Sequence, residues 1–376
     1  MPNTKITPPA RDDYTFASDN TAGICPEAWA GLAAANTGRV PSYGADAWTA
    51  RLKPHFEKIF EAECDVFLVL NGTAANALAL SALCQPFNSI ICHDYSHVDS
   101  DECGAPEFFT GGSKVMALAG PNGKLEPVAV GRVLARDRGV HFQRPGALSL
   151  TQSTEWGTLY TLPEIRALTS LAQAHGLAVH MDGARFANAA AALRGRGISP
   201  ADLTWRSGVD VLCLGGTKGG LHATEAVVFF NRTLARDFDR RVKQAGQLDS
   251  KMRFAAAQWD AMLRDGAWLK HAAHANAMAQ KLAAAVRRHP VLRLIAEPEV
   301  NGVFVEMPPA VYAALTARGW HFYRFIGEHG YRLMCAWDTT ESDVAAFTAD
   351  LAAVLRGPAA PKPGKKKPPA KKPGAR

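Results

Sequence analysis

Seven short apolar runs, each closed by a polar or glycine-bearing turn, recur along the first 230 residues and narrow the choice of fold sharply. They are 66–70 (VFLVL), 89–94 (SIICHD), 114–118 (KVMAL), 147–152 (ALSLTQ), 177–182 (LAVHMD), 209–214 (VDVLCL) and 226–230 (AVVFF). Runs of this length with little polar alternation fit strands buried on both faces. Amphipathic stretches such as 162–176 lie between several of them, so strands alternate with helices. That alternation specifies an α/β fold around a mostly parallel sheet. After about residue 250 the pattern changes. Alanine-rich helical sequence at 251–288 leads to the strand-like runs VLRLI, GVFVEM and YRLMCAW, then to a helix near 341–356. We expect a large domain over 1–250, with an N-terminal segment, and a smaller α+β domain over 251–356. Residues 357–376 form a tail.

In open α/β sheets, ligands collect beyond the carboxyl ends of the strands, so the residues after each run carry the information. The first run leads into Asn71-Gly72-Thr73-Ala74-Ala75-Asn76 and then a helix. The exposed N–H groups and dipole of a helix start suit a phosphate. No GK[ST] follows, and a plain turn capped by Thr73 is the alternative. The run at 177–182 continues into Asp182-Gly183-Ala184-Arg185. A carboxylate ending a buried strand requires a cation or a donor. A structural Asp182–Arg185 pair or a turn cap is the alternative there. The run at 209–214 continues into Gly215-Gly216-Thr217-Lys218-Gly219-Gly220. A desolvated lysine loses its proton readily and can form a Schiff base, whereas an exposed loop lysine does neither. One ligand accounts for all three features. Pyridoxal 5'-phosphate needs a phosphate seat, a carboxylate against its ring nitrogen and a lysine for its carbonyl carbon.

Several spaced segments then resemble one family, the low-specificity L-threonine aldolases. They are Ser18-Asp19-Asn20, 43–46 (YGAD), 71–76, 97–105 (HVDSDECGA), 180–189 (HMDGARFANA), 215–220 and 331–340 (YRLMCAWDTT). The similarity spans roughly 14–356. The GGTK form, with SKMRFAAAQ at 250–258, is similar to a bacterial branch that includes phenylserine aldolases. The resemblance implies an aspartate-aminotransferase-like (type I) fold and retro-aldol cleavage of L-β-hydroxy-α-amino acids to glycine and an aldehyde. Lys218 is then the residue that carries the cofactor, Asp182 faces the ring nitrogen, and Gly72 and Thr73 hold the phosphate. His97 stacks on the ring and reaches toward the substrate hydroxyl. Arg332 and Arg185, with Ser18, bind the substrate carboxylate, and Arg185 also borders the cofactor. The family's second active-site histidine is replaced here by Glu155, in Gln152-Ser153-Thr154-Glu155. Either His97 or Glu155 is then the base. The resemblance also implies a homodimer or homotetramer with shared active sites. Other type I enzymes, such as β-eliminating lyases, serine hydroxymethyl-type aldolases and aminotransferases, are the alternative reading.

The net charge of +7 does not change this picture. Residues 357–376 hold six lysines, one arginine and no acid, and the rest balances 35 basic against 35 acidic residues. Any attraction to nucleic acid belongs to that tail, which its prolines and like charges keep extended. The seven cysteines form no CxxC pair, which fits a reduced, cytoplasmic protein. No apolar run spans a membrane, and no ligand cluster demands a metal.

Overall fold

The structure, a computed structural model, describes residues 12–136 and 139–356. The basic tail and the first eleven residues lie outside the described residues. Seven strands form one sheet: β1 (Asp65–Val69), β2 (Asn88–His93), β3 (Lys114–Leu118), β4 (Arg144–Thr151), β5 (Ala178–Gly183), β6 (Val211–Leu214) and β7 (Glu225–Phe229). Their order is β1-β7-β6-β5-β4-β2-β3. The block from β6 to β3 is parallel, while β7 runs antiparallel to both of its neighbours. Every residue of β2, β6 and β7 is buried, which is why those runs show no polar alternation.

Local chemistry sets the crossovers. The helix Leu162–Ala174 opens on a capping box between Thr161 and Glu164. It ends just before Gly176, whose φ of 71° takes the left-handed turn that glycine adopts without strain. The alanine-rich stretch after residue 250 is two helices, Arg253–Arg264 and Ala267–Val286, separated at Gly266 with φ 69°. The first of them lies beyond the expected boundary near 250. Its Ala256, Trp259 and Met262 are nonetheless buried in the larger core with Phe56 and Phe60.

A second, antiparallel sheet has the order β10-β11-β9-β8, from β8 (Arg293–Leu294), β9 (Gly302–Glu306), β10 (Tyr323–Ile326) and β11 (Gly330–Met334). The strand β10 escaped the sequence pattern because it is an edge strand with Tyr323 and Arg324 exposed. Val303, Val305 and Leu333 of this sheet form a separate core with Phe347 and Leu351 of the helix Glu341–Leu355. Phe16, from the chain's start, belongs to that same core and meets Phe347 edge-on at 5.1 Å. The N-terminal segment is thereby held against the smaller sheet, and Ser18 and Asp19 are carried toward the larger one. Among the described residues no helix is long and apolar enough to cross a membrane.

Candidate active site

The ends of β1, β5 and β6 converge on a cavity of about 440 Å³ whose lining includes Gly72, Thr73, Asn76, His97, Asp182 and Lys218. At one end of it the helix Gly72–Leu83 begins. Asn71, rather than Thr73, is its cap, and the Asn71 side chain accepts from the N–H of Ala74 at 2.9 Å. The N–H groups of Gly72 and Thr73 have no intrahelical partner. No atom lies within 4 Å of where a Gly72 Cβ would stand, so an anion can approach the backbone.

Asp182 is 3% exposed near the end of β5. One carboxylate oxygen accepts from the N–H of Ala184 and the other from Asn76 Nδ2, both at 2.9 Å. The structural Asp182–Arg185 pair considered above does not form, because Arg185 turns to another acid.

Lys218 sits on a short turn, Thr217–Gly219, that is packed tightly against the sheet. A Cβ at Gly215 would lie 2.3 Å from the carbonyl oxygen of Ala184, and one at Gly216 would lie 2.4 Å from that of Thr224. The paired glycines thus serve close packing and not looseness. Glu225 accepts from the N–H of Gly216 and anchors the same turn. Burial pushes the Glu225 carboxyl above its usual range, although the Lys218 charge works the other way. Reading after each strand missed Glu225. It opens β7, and because β7 is antiparallel its beginning lies at the same sheet edge as the other strands' ends.

His97 begins the short helix His97–Ser100 and is partly exposed to the cavity. Its Nδ1 lies 2.8 Å from Glu102 Oε1. That hydrogen bond raises the basicity of the imidazole, burial opposes it, and the Asp182 charge adds to the rise. Glu102 and Asn76 both fall within the segments 97–105 and 71–76, yet nothing in their spacing shows that they meet.

A second group of charges adjoins the cavity, where Asn20 follows Asp19 into its wall. Here Arg185 donates to Asp19 through Nε at 2.6 Å and Nη2 at 2.9 Å. Asn301 Nδ2 supports Asp19 at 3.1 Å. Burial alone would raise the Asp19 carboxyl, but the charge and hydrogen bonds of Arg185 hold it at about 2. Glu155 Oε2 lies 3.8 Å from Arg185 Nη1. Glu155, Arg185, Asn301 and Arg332 line one narrow cleft, and neither Glu155 nor Arg185 borders the larger cavity with His97. Ser18 Oγ accepts from the N–H of Asn20 and caps that turn. Arg332 extends from β11 and stacks 4.6 Å over Phe325. Its Nε is buried without a partner, and burial together with the Arg185 charge lowers its pKa. The structure therefore brings Lys218, Asp182, Gly72, Thr73 and His97 together. It pairs Nε and Nη2 of Arg185 with Asp19, turns Glu155 toward Arg185, and leaves Arg332 Nε without a partner among the described residues.

A family model described as beta-eliminating lyase matches residues 15–309. The low specificity L-threonine aldolase of Pseudomonas sp. (strain NCIMB 10558) is 52% identical over 340 residues, covering 90% of this chain and 97% of that protein. Its counterpart in Pseudomonas aeruginosa is 51% identical, covering 91% of this chain and 99% of that protein. A solved threonine aldolase from Leishmania major superposes with a TM-score of 0.84 at 26% identity, covering 91% of this chain and all of the other.

Proposed function

The chain belongs to the beta-eliminating lyase family and, within it, to the low-specificity L-threonine aldolases, and from that premise we propose what its site does. It cleaves L-threonine, L-allo-threonine or a related L-β-hydroxy-α-amino acid such as phenylserine to glycine and an aldehyde, with pyridoxal 5'-phosphate in the strand-end cavity. The observation that carries this reading is that Lys218, Asp182 and the helix start at Gly72 and Thr73 line one cavity.

The residues fit that cofactor. The helix N-terminus offers unpaired N–H groups to a phosphate, Asp182 offers a buried carboxylate to a ring nitrogen, and Lys218 offers an amine. Among the described residues Asn76 Oδ1 is buried without a partner, as expected of a cavity built around a polar guest. When bound, the cofactor supplies the electron sink for the breaking Cα–Cβ bond. The protein's own task is orientation, charge and proton transfer. Asp182, pinned by Ala184 and Asn76, holds a fixed negative charge at the cavity floor. Arg332 takes the substrate carboxylate, because its planar fork has donors to spare and Phe325 holds it flat. Arg185, whose Nε and Nη2 are held by Asp19, and Ser18 border the same carboxylate position and complete its binding with Arg332. His97 removes the proton of the β-hydroxyl, a contribution of about 10²–10⁴-fold for a positioned base. Glu155 is directed at Arg185 and supports the carboxylate end.

The enzyme works as a homo-oligomer in the cytoplasm. Exposed apolar side chains such as Trp29, Tyr43, Leu70 and Phe108 support a covered surface. The seven unpaired cysteines support a reducing compartment. The test is product analysis of the cofactor-loaded protein with L-threonine, L-allo-threonine and L-phenylserine. Glycine with the matching aldehyde is expected. Ammonia with a 2-oxo acid, and no glycine, would move the chain to the eliminating alternative.

A further inference from the structure

Glu102 is 3% exposed, carries a charge when ionised, and has no task in the scheme above. Its surroundings constrain it closely. Asn76 Nδ2 lies 2.8 Å from Glu102 Oε1 and 2.9 Å from Asp182 Oδ2. An amide NH₂ has two hydrogens, and here each meets one carboxylate. The opposite amide orientation would set a carbonyl oxygen against two carboxylates, so electrostatics fixes this one. His97 Nδ1 approaches the same Oε1 at 2.8 Å. That oxygen already accepts from Asn76 and accepts again from the imidazole. A neutral His97 that donates through Nδ1 keeps its lone pair on Nε2, which makes no hydrogen bond among the described residues.

We infer that Glu102 is a positioning residue: with Asn76 it fixes His97 as the Nδ1–H tautomer, so that Nε2 is the proton acceptor facing the substrate. The amide between Glu102 and Asp182 ties the carboxylate behind the imidazole to the one at the cavity floor. The proton balance is then simple. The β-hydroxyl proton passes to the Nε2 lone pair, and the resulting imidazolium lies against Glu102. The groups that face His97 are Glu102, Asp182 and Lys218, and the first two favour the charged ring while the third opposes it. Burial raises the Glu102 carboxyl, and its bonds from His97 and Asn76 hold it back, so the ionised form depends on those partners. The proposal rests on the aldol reading for its kinetic test and is independent of it for its spectroscopic one.

Two substitutions at Glu102 and a set of histidine spectra decide it. Glu102→Gln keeps the shape but presents either a neutral acceptor or a donor to Nδ1. The expected result is a kcat lower by about 10²-fold, the lower end of what a positioned base contributes. KM changes little, and cofactor absorbance is retained. The acid limb of kcat/KM moves to lower pH, because the charge that raised the His97 pKa is gone. Glu102→Asp restores part of the rate. Separately, ¹⁵N-histidine spectra of the wild-type protein, with and without added pyridoxal phosphate, report the tautomer directly, and a His97→Asn variant assigns the signals. Protonated Nδ1 and unprotonated Nε2 are expected in both forms. A proton on Nε2 would overturn the proposal, as would a Glu102→Gln enzyme with wild-type kcat and acid limb. Where Glu102→Gln does not fold, the wild-type spectrum alone decides. If no aldehyde forms from any substrate while the Nδ1–H tautomer is seen, the aldol reading fails and the positioning role of Glu102 stands.

Discussion

The strand-end cavity and the charged cleft beside it are built in opposite ways. Each main part of the cavity stands at the end of a strand of a single sheet: Gly72 and Thr73 after β1, Asp182 in β5, Lys218 after β6. The cleft is gathered from the loop after β4, the turn after β5, the approach to β9 and the strand β11, through Glu155, Arg185, Asn301 and Arg332, with Asp19 of the N-terminal segment bonded to Arg185 and Asn301. One sheet thus carries the residues we assign to the cofactor, and the junction of the two sheets carries those we assign to the substrate carboxylate. Substitutions in the first should strike chemistry. Substitutions in the second should strike substrate binding and the docking of the chain's start.

The largest effect follows from Lys218→Ala, which removes the amine and should abolish turnover while leaving the fold intact, as circular dichroism would record. Normal cleavage by that variant would break the division at once. Asp182→Asn should keep the cofactor bound and lower kcat by about 10²–10³-fold, the scale for loss of one preorganised electrostatic group. In the cleft, Arg332→Lys keeps the charge but loses the fork. It should raise KM by about 10–100-fold with a smaller change in kcat, in line with a charged hydrogen bond worth about 1.5–3 kcal/mol. A pure kcat defect would assign Arg332 to chemistry instead. Asp19→Asn should have the least effect on chemistry and the most on stability. It leaves the Arg185 charge buried, at a cost of about 3–5 kcal/mol, measurable by urea unfolding at neutral pH. The sign with pH follows from Asp19. Its carboxyl is lowered from 3.8 to about 2 in the folded chain, so its stabilisation is complete above about pH 4 and lost as pH falls through 2. The variant should lack that acid-sensitive contribution.

The same contrast explains what could be read in the residues. The seven strands of the large sheet follow the apolar runs to within a few residues, most plainly in β2, β6 and β7, where burial on both faces writes itself into composition. Lys218, Asp182 and Gly72 were legible because a parallel sheet places the ends of its strands along one edge. Glu225 was not, because only the reversed direction of β7 brings its first residue to that edge. Glu102, Asn76 and Asp19 contact partners 26, 106 and 166 residues away, and no local pattern encodes such a meeting. Resemblance to a family named Arg185 and Ser18 as direct ligands of the substrate carboxylate. The geometry adds what that resemblance did not give: Asp19 takes Nε and Nη2 of Arg185, and Ser18 Oγ accepts from a backbone N–H.

The central claim is that the strand-end cavity is a cofactor site with Lys218 as its point of attachment. Borohydride reduction of the protein loaded with pyridoxal phosphate, followed by peptide mass mapping, tests it directly. The account predicts a single phosphopyridoxyl-modified lysine, Lys218. Stoichiometric modification at another lysine, or none after loading, would contradict it.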